Sequence, residues 1–498
     1  MQVHNDVGMK SNKKKRMLVL APHQDDEIDL AAYALLNLRN WEKFILYSTN
    51  GDNKTPATVR FNEAIESARV LGVPKDNIVF LGYGDNQDSS TCIFFSNEEL
   101  VVSAAGHTET YGVNGINDYH YQKHGIHSPY NYQAFKADLK EAVLDIKADL
   151  IICVDFDSHI DHRMLSLAFD EVMRDILSNQ SNTYYPEIWK RFGYTMSYFA
   201  PEDYTPYNNK ENLFPAADSL KPGEYNLIGK SLYQWDDRIR IPESGNKGLL
   251  IKSHKIVQAL KCHVSQYALF RAFRMDNSDE VFWRKRTDNL ALKAKVISSN
   301  GDATKLNDFK YYDVEDIHQI SCRFTNDSWL PANEKPFVVF CWLQNVRIGR
   351  IRIYGSILGN AYEGRVEVLS DHDRFLQEVQ ILDKPEWIDF TPQILTTQLK
   401  IVFTDGFTNH NGIAEIEIYE NKEYVGGFDE TEVNSIDEKI DREKKIKNMV
   451  VIFADCCWMK IMRIRSYFIN YNRLMKQIGL RAVVSKVGNR LLKIRHHV

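Results

Sequence analysis

"LVLAPHQDDEIDLAA", residues 18–32, runs an apolar stretch straight into His23, Asp25, Asp26 and Glu27. The apolar part is short and bounded by charge, which predicts a buried strand over 16–21 ("RMLVLA"). The part that follows, 27–40, spaces its apolar residues as one face of a helix. A buried strand leading directly into an amphipathic helix is the first half of a βαβ unit. The His and carboxylates fall at the junction, where ligands of open α/β sheets are held.

The same rhythm continues to about residue 200. "KFILYST" (43–49), "NIVFLG" (77–82), "DLIICVD" (149–155) and "RFGYTMSYF" (191–199) read as strands. "TVRFNEAIESARVLG" (58–72), "QAFKADLKEAVLDIKA" (133–148) and "HRMLSLAFDEVMRDIL" (162–177) read as helices. Residues 86–132 break the pattern with a long segment rich in Asn, Tyr, His, Gly and Ser. Residues 252–292 read as helical again, and "DEVFWRKRT" closes the unit. The fold class expected is α/β, a Rossmann-like mainly parallel sheet with helices on both faces. From about 295 the text changes to short β-branched and aromatic runs ("FVVFCWL", "RIGRIRIYG", "QLKIVFTDG") broken by turn residues, which predicts an antiparallel β-sandwich. The expected divisions are a lead of 1–14, an α/β domain of 15–294, a sandwich of 295–420 and a charged linker with a basic tail, 421–498.

Composition narrows the class. The chain has 498 residues, 44% of them hydrophobic and 26% charged, enough for two or three cored domains. A net charge of −5 offers nothing to a nucleic-acid backbone, so no nucleic-acid partner is expected. No apolar run reaches the length of a bilayer span, and Met17–Pro22 is too short for a signal core. The seven Cys are scattered without metal or disulfide spacing, which predicts reduced thiols and a cytoplasmic location. The tail 449–498 sets ten Lys or Arg against one acid, Asp455, with aromatic residues interleaved. That pattern suits a helix on the inner membrane face or an exposed helix pair. Within it, "QIGLRAVVSKVGNRLLKIR" resembles segments of cell-surface polysaccharide glycosyltransferases, which implies a contact with that machinery.

A second junction matches the first. "LIICVDFDSHIDHR" (150–163) ends a predicted core strand with His159, Asp161 and His162. Parallel strands place both junctions on one sheet edge. Carboxylates ahead of a helix also serve as caps, and each motif alone has that reading. Together they supply His23, Asp26 and His162, a two-His, one-carboxylate set for a zinc ion with an open position for water. Asp25 is placed to take a proton from that water. His159 is placed to stabilise an oxyanion or protonate a leaving amine, with Asp161 orienting it.

"APHQDDE" followed by "HIDH" resembles the PIG-L/LmbE-like de-N-acetylases, zinc enzymes that remove acetyl from N-acetylglucosamine-type sugars. The family pattern usually has Pro where this chain has Gln24. The resemblance extends through "STNGD", "RFNEAIESARVLG" and "FLGYGDN". It implies His23, Asp26 and His162 as zinc ligands, Asp25 as general base and His159 as electrostatic catalyst or acid. It also implies Arg60, Asp52 and Asp85 as pocket residues. In "NDYHYQKHGIHSPY", Tyr119 and His120 are expected to face substrate, the rings suiting a sugar; a second metal site is the other reading. Ser265 and Gln266 read as packing and capping groups. The 295–420 segment resembles discoidin-like (galactose-binding-like) sandwiches. Many such modules bind glycans, and Trp329, Trp342 and Trp387 offer rings to stack on a sugar; the other reading places at least two of them in the core. The activity expected is zinc-dependent hydrolysis of an N-acetylated amino sugar or glycoconjugate; the alternative is a glycan-binding or scaffold protein with a non-catalytic metal. A two-metal phosphoesterase would call for a second full ligand set.

Overall fold

A computed structural model describes residues 14–86, 98–155, 159–193, 251–271, 280–311, most of 335–424 and short pieces elsewhere. The lead and nearly all of the basic tail lie outside the described residues. No described helix is long and apolar enough to cross a membrane.

The first sheet is built from β1 (Arg16–Ala21), β2 (Glu42–Thr49), β3 (Ile78–Tyr83), β4 (Leu150–Val154), β5 (Glu187–Arg191), β6 (Ile239–Ile241) and β7 (Glu280–Lys285). Their spatial order is β3-β2-β1-β4-β5-β7-β6. The first five pair in parallel, and β7 and β6 add an antiparallel edge. β1 and β4 are almost wholly buried and aliphatic, as strands covered on both faces must be. The helices are α1 (Asp26–Asn37), α2 (Ala57–Leu71), α3 (Tyr119–His124), α4 (Tyr132–Ile146), α5 (Ile160–Ser178) and α6 (Lys255–Cys262). α6 packs on α1 and α2, while α4 packs on α5.

Strand order reverses between β1 and β4: the chain moves outward to β2 and β3, then returns to β4 and moves the other way. Right-handed crossovers then carry α1 and α5 to opposite faces. Their loops part at the carboxyl edge and leave a crevice. Both motifs open onto it, because β1 ends one residue before Pro22 and β4 ends five residues before His159.

Two expectations need correction. The strand placed at 191–199 lies earlier, at Glu187–Arg191. All five of its residues are buried, with Lys190 paired to Asp170 at 2.9 Å, so its charges hid it from a hydrophobicity reading. Among the described residues of 252–292, the helical reading holds for the α-helix Lys255–Cys262 and for short 3-10 turns at Ala268–Arg271 and Leu290–Lys293, while Glu280–Lys285 is a strand.

The second sheet is antiparallel: β8 (Lys295–Ser298), β9 (Phe337–Gly355), β10 (Tyr362–Leu369), β11 (Arg374–Ile381), β12 (Trp387–Thr404) and β13 (Ile413–Tyr419). Its order is β8-β9-β12-β10-β11, with β13 on the far half of β9. The two long strands slip register between Cys341 and Val346 and between Ile348 and Arg350. Such irregularities bend strands, and residues from both halves of β9 enter one apolar core. The expected antiparallel sandwich is thereby formed. Trp329 and Trp342 are buried in that core, and Trp387 lies against the guanidiniums of Arg350 and Arg352, 4.1 and 4.6 Å from its ring.

Polar anchors join the sandwich to the first sheet. Lys285 reaches Asp170 on α5 at 2.8 Å and lies over the rings of Phe309 and Tyr311. Arg286 donates to the carbonyls of Asn421 and Lys422 at 3.1 and 3.2 Å, with its guanidinium 3.8 Å from the Tyr419 ring.

Candidate functional site

The loop after β1 is short, so His23 turns back over the sheet edge. Its Nδ1 lies 2.9 Å from Asp26 Oδ2, and its backbone N–H donates to the same oxygen at 3.0 Å. His159 is the N-cap of α5, accepting the Asp161 N–H on Nδ1 at 3.2 Å. That cap sets Asp161 and His162 in the first turn. His162 Nε2 then comes within 3.3 Å of Asp26 Oδ2. One carboxylate oxygen thus lies between imidazoles from the two motifs. Ring nitrogens of His23, His159 and His162 all fall within 4.8 Å of one another. Nitrogen and carboxylate donors this close, buried except for the half-buried His159, form a His/Asp cluster able to hold a metal ion.

Asp161 meets His159 through its backbone N–H, and its carboxylate goes elsewhere. Its Oδ2 is 3.9 Å from His159 Nδ1, beyond hydrogen-bond reach, and 2.9 Å from His23 Nε2. Asn86 completes it, donating from Nδ2 to Oδ1 at 2.6 Å and from its backbone N–H to Oδ2 at 3.1 Å. Asp161 therefore orients His23. Asp85 approaches the same His23 Nε2 at 3.5 Å.

These contacts shift the pKa of each group in the cluster. Burial alone would depress the His23 pKa, but Asp85, Asp161 and Asp26 outweigh it and hold it well above the usual imidazole range. Burial would raise Asp26, yet His162 and His23 hold it well below the usual carboxylate range. Asp85 is lowered in the same way, against its burial, by His23, His159 and Arg60. Burial, and then the neighbouring His23, push His159 down to about 4, so that ring is neutral at pH 7.

Asp25 lines the cleft with its backbone at φ 143°, an unusual conformation for a side-chain-bearing residue. Arg60 on α2 reaches its Oδ1 at 3.3 Å, and Arg271 reaches its Oδ2 at 2.8 Å. Gln24 is buried: its Nε2 donates to the Thr49 carbonyl at 2.6 Å and its Oε1 accepts from Arg60 Nε at 3.3 Å. Gly51 has φ 61°, and a Cβ there would collide with Gln24 Oε1 and Arg60 Nε, so only glycine lets them approach. Asn53, Lys54, Thr55 and Gln266 complete the wall.

Of the expected pocket residues, Arg60 and Asp85 line the cleft. Asp52 stands behind it, accepting from the Asp85 N–H at 2.9 Å and from Tyr111 Oη at 2.6 Å. Tyr119 and His120 are not brought there. They turn toward α4, where Tyr119 Oη donates to Asp145 at 2.7 Å and His120 Nδ1 meets Asp138 at 2.6 Å. The second metal site is not formed either: His124 pairs with Glu141 and His127 with Asp118, each histidine on its own carboxylate. Asn86, His263, Arg271 and Gln266 join the site without any motif of their own in the sequence. All owe their places to contacts across long stretches of chain, which no local spacing displays.

Residues 18–173 match the family described as PIG-L: GlcNAc-PI de-N-acetylase. This segment is a PIG-L family domain. The match takes in both motifs and every side chain of the His/Asp cluster, so the PIG-L domain holds the whole of it. No curated protein matches the sequence. Solved structures similar to part of the chain include CpGH89CBM32-6 produced by Clostridium perfringens, at 21% identity and TM-score 0.19, covering 27% of this chain and 99% of that one. Another is the family 32 CBM from C. perfringens NanJ in complex with galactose, at 13% identity and TM-score 0.20, covering 26% and 94%. A third is chitosan-binding module 1 of a chitosanase/glucanase from Paenibacillus sp. IK-5, at 14% identity and TM-score 0.20, covering 26% and 98%.

Proposed function

We propose that the protein is a zinc-dependent hydrolase that removes acetyl from an N-acetylated amino sugar of the N-acetylglucosamine type, free or within a glycoconjugate. The observation that carries this reading is Asp26 Oδ2, 2.9 Å from His23 Nδ1 and 3.3 Å from His162 Nε2, inside the PIG-L domain. His23, Asp26 and His162 would hold the ion. The donor set fits it: two imidazole nitrogens and a carboxylate are what a hydrolytic zinc takes, and Asp161 on the remaining His23 nitrogen supplies the outer-shell acceptor such histidines need. Bound there, a divalent ion supplies Lewis acidity toward the acetamide carbonyl and lowers the pKa of water.

Asp25 accepts a proton from the attacking water, its two oxygens aimed by Arg60 and Arg271. His159 accepts the Asp161 N–H on Nδ1, so the neutral ring carries its proton on Nε2. Nε2–H donates to the oxygen that gains charge as the carbonyl becomes tetrahedral. Asp25 then returns its proton to the amine nitrogen as the C–N bond breaks. Acetate and a free amino sugar leave. Asn53, Lys54 and Gln266 offer hydrogen bonds to sugar hydroxyls at the cleft wall.

The test is acetate release from a panel of N-acetylglucosamine conjugates by zinc-reconstituted protein. Acetate from at least one of them is expected. Tightly bound metal with no acetate from any would instead favour a glycan-binding protein.

A further inference from the structure

Asp25 and Asp29 stand four residues apart at the start of α1, and like charges at that spacing repel. One guanidinium bridges them. Arg271 Nη2 lies 2.8 Å from Asp25 Oδ2, and its Nη1 is on the Asp29 carboxylate. Arg271 lies almost a hundred residues past the segment that matches the PIG-L family.

The stretch that delivers it is fixed at two further points. His263, fully buried at the end of α6, sets Nε2 2.8 Å from Glu27 Oε1. Ser265 donates from its backbone N–H and its Oγ to Glu63 on α2, at 2.8 and 2.6 Å. Glu27 carries the connection back, since its Oε2 accepts the Asp25 backbone N–H at 2.9 Å while Ser67 Oγ holds Oε1 at 2.6 Å. The Asp25 backbone, at φ 143°, is strained for a residue with a side chain and persists only where its surroundings over-determine it. Here they do. Glu27, Ser67 and His263 hold its main chain, and Arg60 and Arg271 hold its carboxylate.

We propose that residues 263–271 are the positioning element for Asp25, with Arg271 setting the direction of its carboxylate. The proposal rests on the reading of Asp25 as proton acceptor. Arg271 works by shape as well as charge: its planar fork reaches two carboxylates with two nitrogens, which a lysine ammonium on a single stem does not reproduce.

The experiment compares wild type with Arg271→Lys and Arg271→Gln, as full-length zinc-reconstituted protein. It reads metal content, kcat and KM for acetate release from an N-acetylglucosamine conjugate, and the crystal structure of each. The expected result is unchanged metal content, kcat down by ~10-fold or more with KM within about twofold, and Asp25 displaced in both variants; misplacing a reacting group by an ångström has effects of this size. Added guanidinium ion is expected to restore part of the Arg271→Gln rate. Arg271→Lys keeps the charge and serves if Arg271→Gln does not fold. An unmoved Asp25 carboxylate in a folded variant overturns the proposal whatever the turnover, and so does wild-type kcat in Arg271→Lys. If wild type releases no acetate, the hydrolase reading fails by itself. The position of Asp25 in the variants then decides the proposal alone.

Discussion

Asp161 Oδ2 lies 2.9 Å from His23 Nε2, joining two motifs 138 positions apart. With that nitrogen engaged by a carboxylate, Nδ1 is the one turned to Asp26 and, in the proposed centre, to metal. Asp161→Asn weakens the acceptor and leaves the chain folded. Metal affinity is expected to fall ~10–100-fold, as it does when outer-shell carboxylates are neutralised. Competition with a chelator of known affinity measures this, and unchanged affinity would remove Asp161 from the centre.

Asp25 is proposed to move protons and to take no part in holding the ion. Asp25→Asn is therefore expected to keep its metal while kcat drops by ~10²-fold or more, the usual scale for a lost general base. Metal analysis beside steady-state kinetics separates the roles. Loss of metal together with activity would make Asp25 a ligand.

Glu280 gives the fold a pH dependence of its own. Helix α1 kinks at Ala31, which releases the N–H groups of Tyr33 and Ala34, and the Glu280 carboxylate accepts both at 2.8 Å. Burial raises its pKa from 4.5 to about 7, against the opposing pull of Arg191 and these N–H donors. The folded chain thus binds the proton more tightly than the unfolded chain. The contribution is fully present below the unfolded pKa and is lost as pH rises toward 7, a change of roughly 3 kcal/mol. Urea melts of wild type and Glu280→Gln from pH 4.5 to 7.5 are expected to show a smaller decline for the variant. Parallel curves would disprove the assignment.

Asp170 lies between two buried lysines, with Lys190 at 2.9 Å and Lys285 at 2.8 Å. Asp170→Ala takes the shared carboxylate from two buried ammoniums and is expected to cost ~3–5 kcal/mol of stability. Because Lys285 also packs on Phe309 and Tyr311 next to the sandwich, the loss should appear in melting of both parts. A shift in Tm of under a degree would mean that the lysines are satisfied without it.

The parts legible in the sequence are those whose cause is local. "LVLAPHQDDE" and "ICVDFDSHIDH" each end an aliphatic strand in ligand-type residues, so sheet, edge and cluster followed from the text. β5 is hard to place from sequence because three of its five residues are ionisable, and burying them is tolerable through partners on other elements, Asp170 for Lys190 and Arg284 for Glu187. Tyr119 and His120 looked like sugar contacts until α4 supplied Asp145 and Asp138 from later in the chain. A spacing of two positions points the Asp161 carboxylate at His159, whereas the fold sets it on His23.

The central claim is that His23, Asp26 and His162 share one divalent ion, and metal content after dialysis tests it most directly. Wild-type protein is expected to retain ~1 equivalent of zinc, the stoichiometry of a single hydrolytic centre. His23→Ala, Asp26→Ala and His162→Ala should each retain almost none while keeping wild-type circular dichroism. Zinc-free wild type after reconstitution, or variants that hold as much as wild type, would contradict the account.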